Sequence, residues 1–158
     1  MHKTHFAASA IINARPEAIY NVLADYHNGH PHIVPKEYLS GMEVEAGGYG
    51  AGTIVRYTTR AFGIQRPQRA VVSEPEPGRV LVETYPTSSF VTTFTVTPID
   101  DGQQANVQIA TEWQPARNLF QTIEQSLYPL VFRRWYNKEL ALLANFVRSR
   151  QDSAHGVE

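Results

Sequence analysis

Cysteine is absent from the 158 residues. That removes disulfides, thiolate metal centres and a cysteine nucleophile, and it fits a cytoplasmic setting. No apolar run approaches the ~20 residues that a membrane-spanning helix needs. The opening stretch MHKTHFAASAIIN has alternating apolar residues instead of the continuous apolar core of a secretory leader, so it reads as mature chain. An excess of positive charge is also missing: 14 Lys and Arg stand against 15 Asp and Glu, a formal net charge of −1. Nucleic-acid binding, which draws on a basic face, has no electrostatic support. GGYGAG precedes a strand pattern instead of a helix, so it is no phosphate cradle. There is no serine nucleophile elbow and no nicotinamide or flavin fingerprint, and no cofactor is expected.

What is present is an ordinary globular composition, 42% hydrophobic and 18% charged. Residues 1–150 are expected to form one domain. Residues 151–158, within the polar run RSRQDSAHGVE, are expected to be a disordered tail. Thr4 to Asn13 reads as a strand. ARPEAIYNVLADY then reads as a helix, with Pro16 in its first turn, Glu17 where the helix dipole favours an acid, and Ile19, Tyr20, Val22 and Leu23 on one face. Gly29 and Pro31 end it, and one more helical turn fits before Tyr38. Six strands follow, near 40–47, 52–60, 64–74, 79–86, 90–98 and 104–114.

Several of these strands alternate. Arg56, Thr58 and Arg60 oppose Val55, Tyr57 and Thr59. Thr93, Thr95 and Thr97 oppose Phe90, Phe94 and Val96. Asn106, Gln108 and Glu112 oppose Val107, Ile109, Thr111 and Trp113. One wet face and one apolar face predict an antiparallel sheet covered on one side. The cover comes from residues 117–149, apolar at helical spacing, with a kink or two abutting helices at Pro129.

The order strand, helix pair, six strands, long helix resembles the helix-grip superfamily known as SRPBCC. That group includes START domains, the major birch pollen allergen and polyketide cyclase/dehydrase-like proteins, the last being the branch suggested here. INARPEAIYNVLADYHNGHPHIVP, GYGAGTIVRYT, VSEPEPGRVLVET and YPLVFRRWYNKELALLANF are each similar to a family motif, in the family's order. The resemblance implies an α+β fold, a curved antiparallel sheet wrapped around the C-terminal helix with a cavity between them. It implies no particular reaction.

Strand parity nominates Tyr57, Thr59, Phe90, Phe94, Thr111 and Trp113 for that cavity. Tyr128, Phe132 and Trp135 can point down from the helix. Aromatic walls with a few hydroxyls suit a flat or greasy ligand. His27, His30 and His32 crowd one loop. His30 and His32 can replace aromatics on the cavity lip, serve as polar or acid–base groups in the pocket, or bind a metal. The intervening Pro31 and the lack of a nearby carboxylate leave the last reading short of ligands, and no metal is expected. VLVETY has two registers. Burying Val80, Val82 and Thr84 leaves Glu83 and Tyr85 in water, and this register is favoured because it buries two valines. The other register buries Glu83 with Tyr85. Arg66 and Arg69 can contact an anionic ligand group or lie on the surface, the commoner place for arginine.

Three functions compete. The leading expectation is binding or transport of a small hydrophobic molecule: aromatic, polyketide-like or lipid. The alternative is a cyclase, aromatase or dehydratase that moves protons with polar pocket groups. A third is a protein-interaction module, which an exposed apolar patch outside the cavity favours. Convergence of two titratable groups in one pocket, such as His30 with Glu83 or Tyr57, favours the enzyme. The ligand and the oligomeric state are not legible in the sequence.

Overall fold

The computed structural model describes residues 3–156. Strand β1 (Thr4–Ile12) leads into helix α1 (Pro16–Ala24) and a 3-10 turn at His30–His32. Six strands follow: β2 (Leu39–Ala46), β3 (Ile54–Ala61), β4 (Ile64–Glu76), β5 (Val80–Thr84), β6 (Val91–Ile99) and β7 (Gln104–Trp113). Helix α2 (Leu119–His155) closes the chain. The strands form one antiparallel sheet in the order β1-β7-β6-β5-β4-β3-β2. The curved sheet grips α2, the helix-grip arrangement that the family resemblance implies.

The apolar parities hold where they were clear. Phe94 and Val96 of β6 and Val107 and Ile109 of β7 are buried. So are Leu140, Leu143 and Val147 of α2. Helix α1 adds Ile19, Val22 and Leu23, each at most 1% exposed. Removing this apolar surface from water, at ~25 cal/mol per Å², is the main force holding α1 and α2 to the sheet.

Helix α2 differs from expectation at two places. It is one continuous helix across Pro129. Pro129 stands on an exposed side, where the Gln125 carbonyl it cannot serve can meet water. The helix also continues through Gln151–His155, in the segment expected to be disordered, and stops before Gly156. The residues there lack an apolar face but include no glycine or proline to break the ladder.

The turn after α1 positions the first site residue. The Asp25 side chain accepts from the backbone N–H groups of His27 and Asn28, and its carbonyl accepts from those of Gly29 and His30. A methyl group at Gly29 would lie 2.4 Å from the Val22 carbonyl oxygen. Gly29→Ala is therefore expected to force the turn away from α1 and cost about 1–3 kcal/mol, read as a lowered Tm. An unchanged Tm would show that the turn has slack.

Candidate functional site

A cavity of about 140 Å³ lies between the concave face of the sheet and α2. That is close to the ~150 Å³ engineered cavity that admits benzene, so about one ring fits inside. A longer ligand would extend through the mouth. Tyr57, Thr59, Phe90, Phe94 and Thr111 line it from the sheet side. Tyr128, Phe132 and Trp135 line it from α2, and His30 from the 3-10 turn.

Two nominated residues lie elsewhere. His32 is exposed and stacks on Phe146 at 4.7 Å. Two residues of a 3-10 turn lie about 240° apart, so His30 and His32 cannot face the same way. Trp113 is buried but stands behind the cavity wall, against Phe90, Tyr128 and Phe132. Its Nε1 has no hydrogen-bond partner among the described residues. Position at the end of β7 places it in this aromatic layer instead of in the cavity. His27 is exposed beside Gly48, so the three histidines go to three different places.

The register of β5 is the reverse of the favoured one. Leu81, Glu83 and Tyr85 point inward, at 0%, 4% and 7% exposure, while Val80 and Val82 are half-buried. Leu81 pairs with Phe94 and Glu83 with Thr92 on β6. Burying Leu81 against Phe94 outweighs burying Val80 and Val82, and two hydrogen-bonding tyrosines make an inward Glu83 tolerable.

Those partners form the polar end of the cavity. Glu83 accepts hydrogen bonds from Tyr26 at 2.6 Å and Tyr85 at 2.5 Å. Tyr57 in turn donates to the Tyr85 hydroxyl. His30 Nδ1 lies 2.8 Å from the Leu23 carbonyl, which can only accept, so Nδ1 carries the proton. Its Nε2 is therefore left facing Glu83 at 3.7 Å and Glu139 at 4.0 Å. Tyr26 stacks on the imidazole and Phe94 meets it edge-on, fixing the ring plane. Glu139, from α2, accepts from Trp135 Nε1 at 2.8 Å.

Burial first, and then the charge of Glu83, push the Glu139 carboxyl up to about 8. Near neutrality it is a carboxylic acid with a proton to give. Burial also pushes the Tyr26, Tyr57 and Tyr85 hydroxyls up, with the Glu83 charge second, so they stay neutral donors. A second hydroxyl group lies on another wall. Thr92 and Thr111 are 2.8 Å apart, and Thr111 bonds Tyr136. The cavity thus combines apolar ring walls with an acid, an imidazole lone pair and a carboxylate within 4.0 Å of the imidazole.

Glu139, Tyr136, Thr92 and Tyr26 were not nominated from sequence. The signal for Glu139 was present: it follows Tyr128, Phe132 and Trp135 at helical spacing, an acid on a cavity-facing stripe. The metal reading of the histidine loop gains nothing here, since only His30 reaches the cavity.

These features define a helix-grip domain with a buried acid–base cluster at the end of an apolar pocket. The chain belongs to the family described as Polyketide cyclase / dehydrase and lipid transport, matched over residues 3–146. Among solved structures it is similar to the KanY protein, at 28% identity and a TM-score of 0.80, covering 94% of this chain and 99% of that one. It is similar in fold to the Zhui aromatase/cyclase of Streptomyces sp. R1128, at 17% identity and 0.70, covering 94% and 96%. It shares its fold with Thalictrum flavum norcoclaurine synthase, at 12% and 0.66, covering 95% and 97%. A search of curated protein sequences gives no match. No described helix is long and apolar enough to cross a membrane.

Proposed function

We propose that the cavity binds a small ring-containing or ring-forming molecule bearing carbonyl and hydroxyl oxygens, and that His30, Glu83 and Glu139 move protons on it in a cyclisation or dehydration. The observation that supports this reading is the convergence of the three groups at one end of an apolar pocket. A cavity built only to carry a greasy ligand has no use for two buried carboxyl groups, which are costly to hold away from water. The family description and the aromatase/cyclase among the structural relatives are in keeping with it.

For a β-hydroxy ketone the steps balance as follows. His30 Nε2 takes the proton α to the carbonyl, and the Glu83 carboxylate stabilises the imidazolium. The C–O bond to the hydroxyl breaks as Glu139 gives that oxygen its proton, so water leaves and a carbon–carbon double bond forms. The imidazolium then returns its proton to Glu139, 4.0 Å away. Aromatic walls favour the flat product and exclude water from the cluster.

A carrier function is the second reading, favoured by the apolar walls and by the lipid transport in the family description. One experiment separates the two. A panel of aromatic and β-hydroxy-ketone compounds is titrated against a Trp113→Phe background, so that Trp135 in the cavity wall reports entry by fluorescence. Conversion is followed by mass spectrometry. Glu139→Gln and Glu83→Gln are expected to keep binding within a few-fold while conversion falls by ~10²–10⁴-fold, the usual worth of a positioned acid or base. Binding with no conversion by the unaltered protein would make it a carrier.

A further inference from the structure

The outer rim of the cavity carries an interaction surface. Leu119, Phe120, Ile123, Leu127 and Leu130 of α2 are all exposed, Phe120 at 68% and Ile123 at 58%. At 100° per residue they form a band that starts beside Glu124 and Tyr128 at the cavity mouth and turns outward around the helix. Across the mouth, the β3–β4 hairpin presents Phe62 at 51% and Ile64 at 45% exposure. Its two turn residues, Phe62 and Gly63, have φ of 54° and 72°. This is the type of turn in which asparagine or glycine is usual. Phe62 borders the cavity mouth with its ring half in water, so packing in the core does not account for a phenylalanine held in that conformation.

The unpaired charges around this apolar rim, among the described residues, are of one sign. Arg60, Arg117, Arg133 and Arg134 are exposed and have no acidic partner among the described residues. Glu124, the only acid between residues 117 and 134, is paired with Arg66 at 2.6 Å. The rim is thus basic on a protein whose net charge is −1. A second copy of the chain fits it poorly. Antiparallel packing of two such helices would set Arg117 against the partner's Arg133 and Arg134, and parallel packing would set each arginine against its own copy. Like charges at both ends oppose either arrangement.

We infer that this rim docks on an anionic lipid surface. The leucines, Ile123, Phe120 and Phe62 would enter the headgroup–acyl boundary, and the arginines would meet lipid phosphates. The cavity mouth would then open directly onto the lipid. This inference goes beyond the chemistry proposed above and stands on different residues, so either can fail alone.

The test is flotation with vesicles of phosphatidylcholine alone and of phosphatidylcholine mixed with phosphatidylglycerol. The unaltered protein should float with the mixed vesicles, poorly with the neutral ones, and less as salt is raised. Ile123→Asp and Phe62→Ser should each cut retention by about tenfold or more. Joint replacement of Arg117 and Arg134 by alanine should remove the preference for the anionic lipid. All these side chains are exposed, and circular dichroism melts check that the variants fold. The inference is overturned if the protein does not float with anionic vesicles, or if flotation ignores all these substitutions. It is also overturned if sedimentation finds a dimer that Ile123→Asp dissolves while no vesicle is bound.

Discussion

Glu83→Ala should unfold at a temperature well below that of the unaltered protein. Two buried tyrosine hydroxyls, of Tyr26 and Tyr85, lose their acceptor, and Tyr57 loses the fixed partner it has in Tyr85. A buried polar group left unpaired costs about 1–3 kcal/mol. Two of them, less the relief of taking one of two neighbouring carboxyl groups out of the interior, give about 1–5 kcal/mol, or roughly 2–20 °C in a chain of this size. Glu83→Gln keeps an accepting oxygen and should lose clearly less. Calorimetry on the pair is the check. If alanine and glutamine prove equally mild, the tyrosines have other acceptors and the cluster does not depend on Glu83.

Glu139→Gln should act in the opposite direction, and only above acidic pH. The Glu139 carboxyl rises from 4.5 to about 8 in the folded chain. Between those values the folded state keeps a proton that the unfolded state has released. Stability from this group is therefore fully present below about pH 4.5, declines as pH rises, and is gone above about 8. At ~1.4 kcal/mol per unit the effect amounts to a few kcal/mol. Glutamine has no such proton to lose. The variant should be more stable than the unaltered protein at pH 9, and its melting temperature should fall less steeply between pH 5 and 8. Glu83→Ala should also flatten this slope, because the Glu83 charge is the second cause of the shift. Parallel melting profiles for the unaltered protein and Glu139→Gln would show that Glu139 is not buried as described.

The contrast between β6 and β5 explains what was legible in the chain. On β6 one parity holds Phe94 and Val96, while the other has threonines at its centre (Thr93, Thr95, Thr97) and apolar residues only at the strand ends, so the burial gain decides the register. On β5 each parity carries apolar side chains, Val80 and Val82 against Leu81 and Tyr85. The choice then rests on partners from outside the strand: Tyr26, 57 residues away after α1, for Glu83, and Phe94 on the neighbouring β6 for Leu81. No local pattern contains them. The histidine loop failed in a similar way. Spacing could not say that one imidazole is drawn in by the Leu23 carbonyl while its neighbour settles on Phe146. Helix α2 is readable as a whole, but spacing alone does not mark Glu139 as the buried acid of the inner stripe, because an acid at helical spacing usually faces water.

Pro129 divides α2 into two lengths that answer to different demands. Before it, Glu124 and Tyr128 sit at the entrance. After it, Phe132, Trp135, Tyr136 and Glu139 line the inner part of the cavity. A residue that cannot donate to the preceding turn leaves one rung out of the helical ladder, so strain on one side is passed weakly to the other. Substitutions in the first length can then alter which molecules are admitted without disturbing the acid placed by the second. In an evolving lineage, ligand choice and chemistry could drift separately along a single helix.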